Sequence, residues 1–498
     1  MNALKLLFFL ILLASCQQQV QEKPITKPQY EENWSSLRKH HTPEWLDQMK
    51  FGIYCHWGPQ TVIIASGDEK MSRTEAIDRW SGDGFDAKEW VDMFQAAGAQ
   101  FGGPVSWHGS GLLNWKSDIT DWNAAEKGPK VDIVGELTSE LKKRNMPVLC
   151  SFHTGDIWNR VWGPISGTNN TYLDPYEDNS AYATTNNGRP GDEIYNGWLE
   201  RMKEAIDKYQ PDIVWMDIGF GGTIKTELKY GALGRQLPNS PNEIRCAPEK
   251  FQKKLISYFF NQGLAWDKEV ELVYKSHDIP TGIGMRDIEN GNLIGQQYDP
   301  WMSDINMAHH YAYPYPWFYN PKNPFKKAGT LVDMLVDMTS KNGRMLLSVP
   351  PQPDGSFHED AKKELYAMGD WLRVNGEAIY GTIPWTFYGE GPTEVTSPGQ
   401  HGQGKFKGEK IPIYTSEDVR FTQKDQNLYA IVMDWPGEST IIRTLGTRGK
   451  IHPGSIKGVT MLGSDEEIVW EQKEVGLKVQ FPKERPCDFA YVLKVERY

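Results

Sequence analysis

The chain is short of cysteine: 5 in 498 residues, far apart, with no C-x-x-C pair. That spacing suggests neither a zinc site nor a disulfide framework. Cys55 and Cys150 sit inside apolar runs and read as buried thiols. No Lys/Arg-dense stretch follows the N-terminus, and the net charge is −11. Phosphate backbones repel such a surface, so nucleic acid is not an expected partner. Past the first 16 residues no apolar run is long enough to span a bilayer. No Gly-rich loop follows the first apolar run, which argues against a nucleotide-binding doubly wound sheet. No segment repeats at a fixed period.

What is present suits a globular enzyme. Apolar residues make up 39% and charged residues 24%, a balance that argues against long disorder. The length exceeds one ordinary core, so two domains or a large barrel with an appendage are expected. Trp and Tyr are abundant, at 19 and 22. A large core uses most of them, although such rings also stack on the C–H faces of sugars.

The N-terminus carries an address. Lys5 precedes Leu-Leu-Phe-Phe-Leu-Ile-Leu-Leu and then Ala14-Ser15-Cys16. A short positive region, a short apolar region and a small-residue site read as a signal peptide, not a membrane span. Leu13-Ala14-Ser15-Cys16 also resembles a bacterial lipobox. That resemblance implies cleavage before Cys16 and a lipid anchor on its thiol. The expectation is an exported protein, a periplasmic or outer-membrane lipoprotein, with residues 1–16 as leader and 17–32 as tether.

From about residue 45 to 382, apolar runs alternate with helical patterns. The runs are Phe51–Cys55, Phe101–Val105, Pro147–Phe152, Ile213–Met216, Val270–Tyr274 and Met345–Val349. Between them, Asp86–Ala97, Asp132–Arg144, Ile194–Tyr209, Lys250–Phe260, Leu331–Ser340 and Ala361–Val374 show helical spacing. This alternation predicts an α/β fold, a (β/α) TIM-like barrel over 33–384. After Gly381 the helical period stops. Val419–Thr422, Leu428–Met433, Val459–Leu462 and Phe489–Val495 read as strands, so 385–498 is expected to be an all-β sandwich. Gly399–Lys410 reads as an exposed loop.

A barrel keeps its chemistry at the C-terminal ends of its strands. There the runs end in His56-Trp57, Trp107-His108, His153, Asp217 and Lys275, with His277 and Asp278 beyond. Three imidazoles, a carboxylate and a cation converging from five strand ends point to an active site. Asp217 closes a buried strand, where a carboxylate needs a partner or a task. The set has no paired carboxylates and no H-x-x-x-H spacing, so no metal and no cofactor is expected. A nucleophile is the other task, since glycosidases commonly use two carboxyls, one attacking and one donating a proton.

Several segments resemble the α-L-fucosidases, family 29 of the glycoside hydrolases. They include Lys50 through Pro59, Phe85 through Trp90, Ser117 through Asn123, Tyr209 through Asp217, Leu346 through Gly355, Trp371 through Thr382 and Glu417 through Thr422. The resemblance runs in order over nearly the whole mature chain. It implies a retaining exo-α-L-fucosidase acting on glycans or polysaccharides, built as a barrel plus a β-sandwich. It implies Asp217 as nucleophile and His56 and Trp215 in the sugar pocket. Trp107, His108, His153 and Lys275 are the other expected substrate-binding residues. Asp287-Ile288-Glu289-Asn290-Gly291 is similar to the family's acid/base stretch, which implies Glu289, with Asp304 and Glu271 in reserve. The chain departs from many members at Trp107-His108-Gly109, at Glu69-Lys70, at Trp301 through Asp304 and at Lys275, where some members have Arg. Two alternatives therefore stand beside L-fucose release: an α-L-galactosidase acting on algal polysaccharide, and a catalytically silent glycan binder.

Overall fold

The structure is a computed structural model describing residues 29–68, 70–153, 192–217, 220, 247–275, 279–309, 316–393, 395, 411–448 and 454–498. The expected leader, most of the tether, the 399–410 loop, Glu69, Cys246, His277 and Asp278 lie outside these residues. Tyr30, expected in the tether, is instead docked. Its backbone exchanges hydrogen bonds of 3.0 and 2.8 Å with the Asn261 side chain. Its ring packs edge-on against Phe260 at 5.2 Å.

Eight parallel strands close into a barrel in chain order. They are β1 (Phe51–Cys55), β2 (Phe101–Trp107), β3 (Leu149–Phe152), β4 (Ile213–Met216), β5 (Glu271–Lys275), β6 (Met285–Asp287), β7 (Trp301–Asn306) and β8 (Gly343–Ser348). Closure is direct: Gly52 pairs with Phe101 on one side and with Leu346 on the other. Gly103 in β2 is required by close approach, because a Cβ there would collide with the Leu149 carbonyl of β3.

Helices α1 (Trp34–Leu37) and α2 (Glu44–Gln48) precede the barrel. Three helices link β1 to β2: α3 (Pro59–Ser66), α4 (Arg73–Arg79) and α5 (Ala87–Ala96). The outer ring continues with α6 (Ile133–Lys143), α7 (Asp192–Tyr209), α8 (Glu249–Ala265), α9 (Ala328–Ser340) and α10 (Glu359–Asn375). Asp86 starts α5 as expected. Its carboxylate accepts from the Lys88 and Glu89 backbone N–H groups at 2.8 and 3.1 Å, satisfying donors that the first helical turn leaves unpaired. Among the described residues no helix lies between β5 and β6 or between β6 and β7.

The sequence reading assigned neither β6 nor β7 to a strand. The reason is their composition. Met-Arg-Asp and Trp-Met-Ser-Asp-Ile-Asn are short and polar, yet their Asp287, Ser303 and Asp304 are buried inside the fold.

Alternation separates two cores. Tyr54, Phe101, Val105, Leu149, Ile213, Trp215, Val273, Met285, Met302 and Leu346 fill the barrel lumen, while the intervening residues pack under the helices. Continuing the lumen parity toward the C-terminal ends of the strands other than β2 leads to His56, His153, Asp217, Lys275, Asp287, Asp304 and Ser348. The pattern that fills the barrel therefore delivers the polar groups to its mouth.

The C-terminal region has a five-stranded sheet ordered β13-β16-β11-β10-β9 and a three-stranded sheet ordered β12-β15-β14. These are β9 (Ile383–Glu390), β10 (Val419–Lys424), β11 (Asn427–Val432), β12 (Ser439–Ile442), β13 (Ile456–Met461), β14 (Trp470–Lys473), β15 (Gly476–Gln480) and β16 (Tyr491–Arg497). Both sheets contribute to one apolar cluster, with Phe421, Leu428 and Leu493 from the first and Ile442, Leu477 and Val479 from the second. The seam with the barrel is polar as well as apolar. The Trp371 indole donates to the Ala490 carbonyl at 2.7 Å, and Asp337 of α9 is bound by Arg420 of β10.

Candidate active site

Three imidazoles gather at the mouth of the barrel. His56 lies 4.9 Å from His153 and 5.6 Å from His108 between ring centroids, and His108 lies 4.6 Å from His153. His56 Nδ1 is 2.8 Å from the Ser348 hydroxyl. Burial, reinforced by the two other imidazoles, pulls His56 well below the usual histidine range, so it is neutral at working pH. Trp317 and Phe318 close over it, each with its ring centroid at 5.4 Å. A cavity of about 10 Å³, room for one water, opens beside His108, Ser110 and Phe318.

Asp217 follows β4 and joins this group. His153 Nδ1 donates to its carboxylate at 3.1 Å, and its own backbone N–H bonds the Phe152 carbonyl at 3.0 Å. The aspartate and the imidazole are thus fixed by neighbouring strands.

A second polar group fills the adjacent sector. Lys275 at the end of β5 is fully buried. Its ammonium bonds Asp287 at 3.0 Å and Asp304 closer still, and stands 3.8 Å from Glu289. It also lies 4.7 Å above the Trp215 ring. The Tyr54 hydroxyl donates to Asp304 at 3.1 Å. Burial alone would strip the proton from Lys275, but the surrounding carboxyls raise its pKa and keep it charged. Burial and the neighbouring Asp304 push Asp287 well above the carboxylate range, with Lys275 offsetting only part of this. Among the described residues Lys275 is the cation that faces these three carboxyls.

Of the residues expected from sequence, His56, His108, His153, Asp217, Trp215, Lys275 and Glu289 come together here. Trp215 is fully buried and forms the floor beneath Lys275 and His153. Trp107 does not face the site. Its indole donates to the Gly111 carbonyl at 3.1 Å and packs against Trp115 in the layer under the helices. Parity would aim it inward with Val105, but the register shifts between Val105 and Trp107, a bulge that flips the side chain. Of the two reserves, Asp304 is in the cluster. Glu271 is not: it opens β5 at the end opposite Lys275 and faces His40 at 3.4 Å. The sequence reading missed Asp287, Tyr54, Ser348, Trp317 and Phe318. Asp287 had a usable signal, because it ends β6 two residues before Glu289.

The three imidazoles offer ring nitrogens within 4.8 Å of one another, a spacing a transition-metal ion could use. The same donors suit sugar hydroxyls. The acid, base and nucleophile of a double displacement are supplied by carboxyls alone.

The model of the alpha-L-fucosidase family matches residues 16–377, and that of the alpha-L-fucosidase C-terminal domain matches residues 414–496. The tissue alpha-L-fucosidase of Bos taurus is 24% identical, over 94% of this chain and 91% of its own. An alpha-fucosidase of Thermotoga maritima, solved with a mechanism-based inhibitor, superposes with a TM-score of 0.69 at 22% identity, covering 94% of this chain and 100% of its own. An alpha-L-fucosidase of Bacteroides thetaiotaomicron, trapped as a covalent intermediate, superposes with a TM-score of 0.61 at 17% identity, over 95% and 98% of the two chains.

Proposed function

This chain belongs to the alpha-L-fucosidase family, and on that premise we propose how its site works. The protein is a retaining glycoside hydrolase that releases terminal α-L-fucose from glycans. Asp217 attacks the anomeric carbon while Glu289 gives its proton to the departing oxygen. The sugar is then held on Asp217 as an ester. Glu289, now a carboxylate, takes a proton from water, and the oxygen of that water displaces Asp217. Two inversions return the α configuration.

The observation that carries this reading is the pairing of a fixed carboxylate with a separate carboxyl beside a buried cation. Asp217 is held by His153 at 3.1 Å, and Glu289 stands 3.8 Å from Lys275. Lys275 lies closer to Asp287 and Asp304 than to Glu289. Most of its charge is therefore answered before it reaches the acid. His56, neutral and braced by Ser348, supports a role in binding sugar hydroxyls, with His108 and His153 beside it. Both carboxyls are present, which favours an active enzyme over a silent glycan binder.

Aryl α-L-fucoside and aryl α-L-galactoside, compared by aglycone release, test the reading. Faster release from the fucoside, with α-L-fucose as the first anomer seen by NMR, is expected. The galactoside arm asks whether the cavity beside His108 takes a hydroxyl. Preference for the galactoside, or β-anomer as first product, contradicts the assignment.

The lipobox at Leu13 through Cys16 supports a further proposal, that the mature chain is an exported bacterial lipoprotein anchored through Cys16. Wild-type protein should partition with membranes, and Cys16→Ser should leave the leader uncleaved or the protein released. A wholly soluble wild type contradicts the anchor.

A further inference from the structure

Strand β2 brings His108 to the site against its own alternation. Val105 fills the lumen, so a regular strand would aim Trp107 inward and His108 out toward the helices. The bulge reverses this. Val105 pairs with Ser151 and Trp107 with Phe152, which leaves Ser106 as the extra residue on β2. Trp107 then packs under the helices, and His108 meets His56, His153 and Phe318.

A bulge interrupts the ladder, so its carbonyls need other donors. Asn114 supplies them. After Trp107 the chain doubles back, and Trp107 bridges Leu113 in antiparallel fashion. That return sets Asn114 beside the bulge. Its backbone N–H donates to the Ser106 carbonyl at 2.9 Å. Its side-chain amide nitrogen donates to the Val105 carbonyl at 2.8 Å and to the Trp57 carbonyl at 3.0 Å. An amide nitrogen carries two hydrogens, one for each carbonyl. The residue is buried, and its own carbonyl accepts from the Val134 N–H of α6 at 3.1 Å.

These bonds join two strand ends that carry the site. Trp57 follows His56 at the end of β1, and the Val105–Trp107 bulge precedes His108. One buried side chain therefore ties the segments whose imidazoles lie 5.6 Å apart between centroids. None of its bonds is to an imidazole, so its action on the pocket passes through the backbone. Neither an alanine nor a leucine at this place could meet either carbonyl.

We propose that Asn114 is a positioning residue for sugar binding, pinning the β2 bulge to the end of β1 and so setting His108 against His56. The proposal rests on the glycosidase reading for what the pocket holds. It makes the outward turn of Trp107 and the inward turn of His108 two results of one contact.

Asn114→Ala removes both side-chain donors and keeps the backbone bonds. KM for aryl α-L-fucoside should rise about tenfold, as for His108→Ala, while kcat falls less than about threefold, because Asp217 and Glu289 follow β4 and β6. The deciding measurement is a double-mutant cycle. Adding Asn114→Ala to His108→Ala should leave KM within about twofold of His108→Ala alone, because the two act through one contact. A residue that only supports the fold would add its own loss, taking the double variant to about a hundredfold. Asn114→Ser, which keeps one donor, serves if Asn114→Ala does not fold, and should raise KM less in the same cycle. An unchanged KM, a loss mainly in kcat, or additive losses overturn the proposal. Failure of the glycosidase reading shows separately, as a wild type inert toward the fucoside. A crystal structure of the variant then decides the role of Asn114. His108 withdrawn from His56 supports it, and an unmoved bulge with His108 in place overturns it.

Discussion

Two buried charge clusters in this molecule use the same ingredients in opposite ratios. At the barrel mouth one cation, Lys275, faces Asp287, Asp304 and Glu289. At the seam between barrel and sandwich one carboxylate, Asp337, faces Lys341 at 2.6 Å together with Arg420 and Asn292. Burial would raise the Asp337 carboxyl, but Arg420 and Lys341 outweigh it and hold it below the ordinary range. Its charge is answered in full, while Asp333, one turn earlier on α9, is pushed up to about 8 by burial and Asp434. At the mouth, burial and Asp304 raise Asp287, and Lys275 offsets only part of this. A saturated cluster acts as a fastener. One whose carboxyl is raised by burial and a like charge has a perturbed group available for chemistry, at a cost in stability.

Substitutions can break this contrast at either end. The largest effect belongs to Asp217. Asp217→Ala removes the group that forms the covalent intermediate, so kcat should fall at least about a thousandfold, far more than KM changes. Steady-state kinetics on aryl fucoside and an unfolding curve on the same protein check it. Near-normal turnover in a folded variant contradicts the role.

Next is the seam. Asp337→Ala leaves Lys341 and Arg420 buried without their anion and should cost about 3–5 kcal/mol of stability, with kcat/KM of the folded protein unchanged. The pH dependence has a definite sign. The folded carboxyl lies below the ordinary aspartate value of 3.8. Its contribution is therefore complete above that value and is lost as pH falls through the folded pKa. Denaturant melts from pH 6 to 3 should show a shallower acid loss in the variant. A loss that is unaltered removes Asp337 from the account.

A smaller change should sharpen the comparison. Asp304→Asn takes one anion from around Lys275, so more of the cation's field reaches Glu289 and favours its ionised form. A general acid must be protonated to act, so the alkaline limb of the kcat/KM profile should move down by about one pH unit. A shift upward would mean that Lys275 does not act on Glu289. The smallest effect is assigned to Trp107, whose ring lies under the helices. Trp107→Phe should leave KM within about twofold of the wild type, while His108→Ala raises it about tenfold. A comparable rise for Trp107→Phe would put the indole back in the pocket.

These contrasts also mark what was legible in the residues. Strands β1 to β5 and β8 were readable because their barrel-facing and helix-facing residues are both apolar. Strands β6 and β7 were not, since their inner positions carry Asp287 and Asp304, and the opposite face of β7 carries Ser303, whose hydroxyl bonds the Ile288 and Gly291 carbonyls. In the sandwich, β10, β11, β13 and β16 carry the core and were foreseen in outline. Edge elements such as β14, Trp-Glu-Gln-Lys, are half exposed and were not assigned to a strand. Asp217, His56 and His153 were visible as the first polar residues after apolar runs. Trp107 was misplaced by a bulge that no local pattern announces. The Asp287–Lys275–Asp304 cluster needed three-dimensional pairing, since its members come from three strands.

The central claim is that Asp217 and Glu289 divide a double displacement between them, and trapping the intermediate tests it most directly. With a dinitrophenyl fucoside, whose leaving group departs without a proton, Glu289→Ala should give a burst of phenolate and then stall, because water lacks its base. Azide, which needs no base, should restore turnover and yield the α-configured fucosyl azide. A variant with neither burst nor rescue, or azide rescue of Asp304→Ala in place of Glu289→Ala, would contradict the assignment.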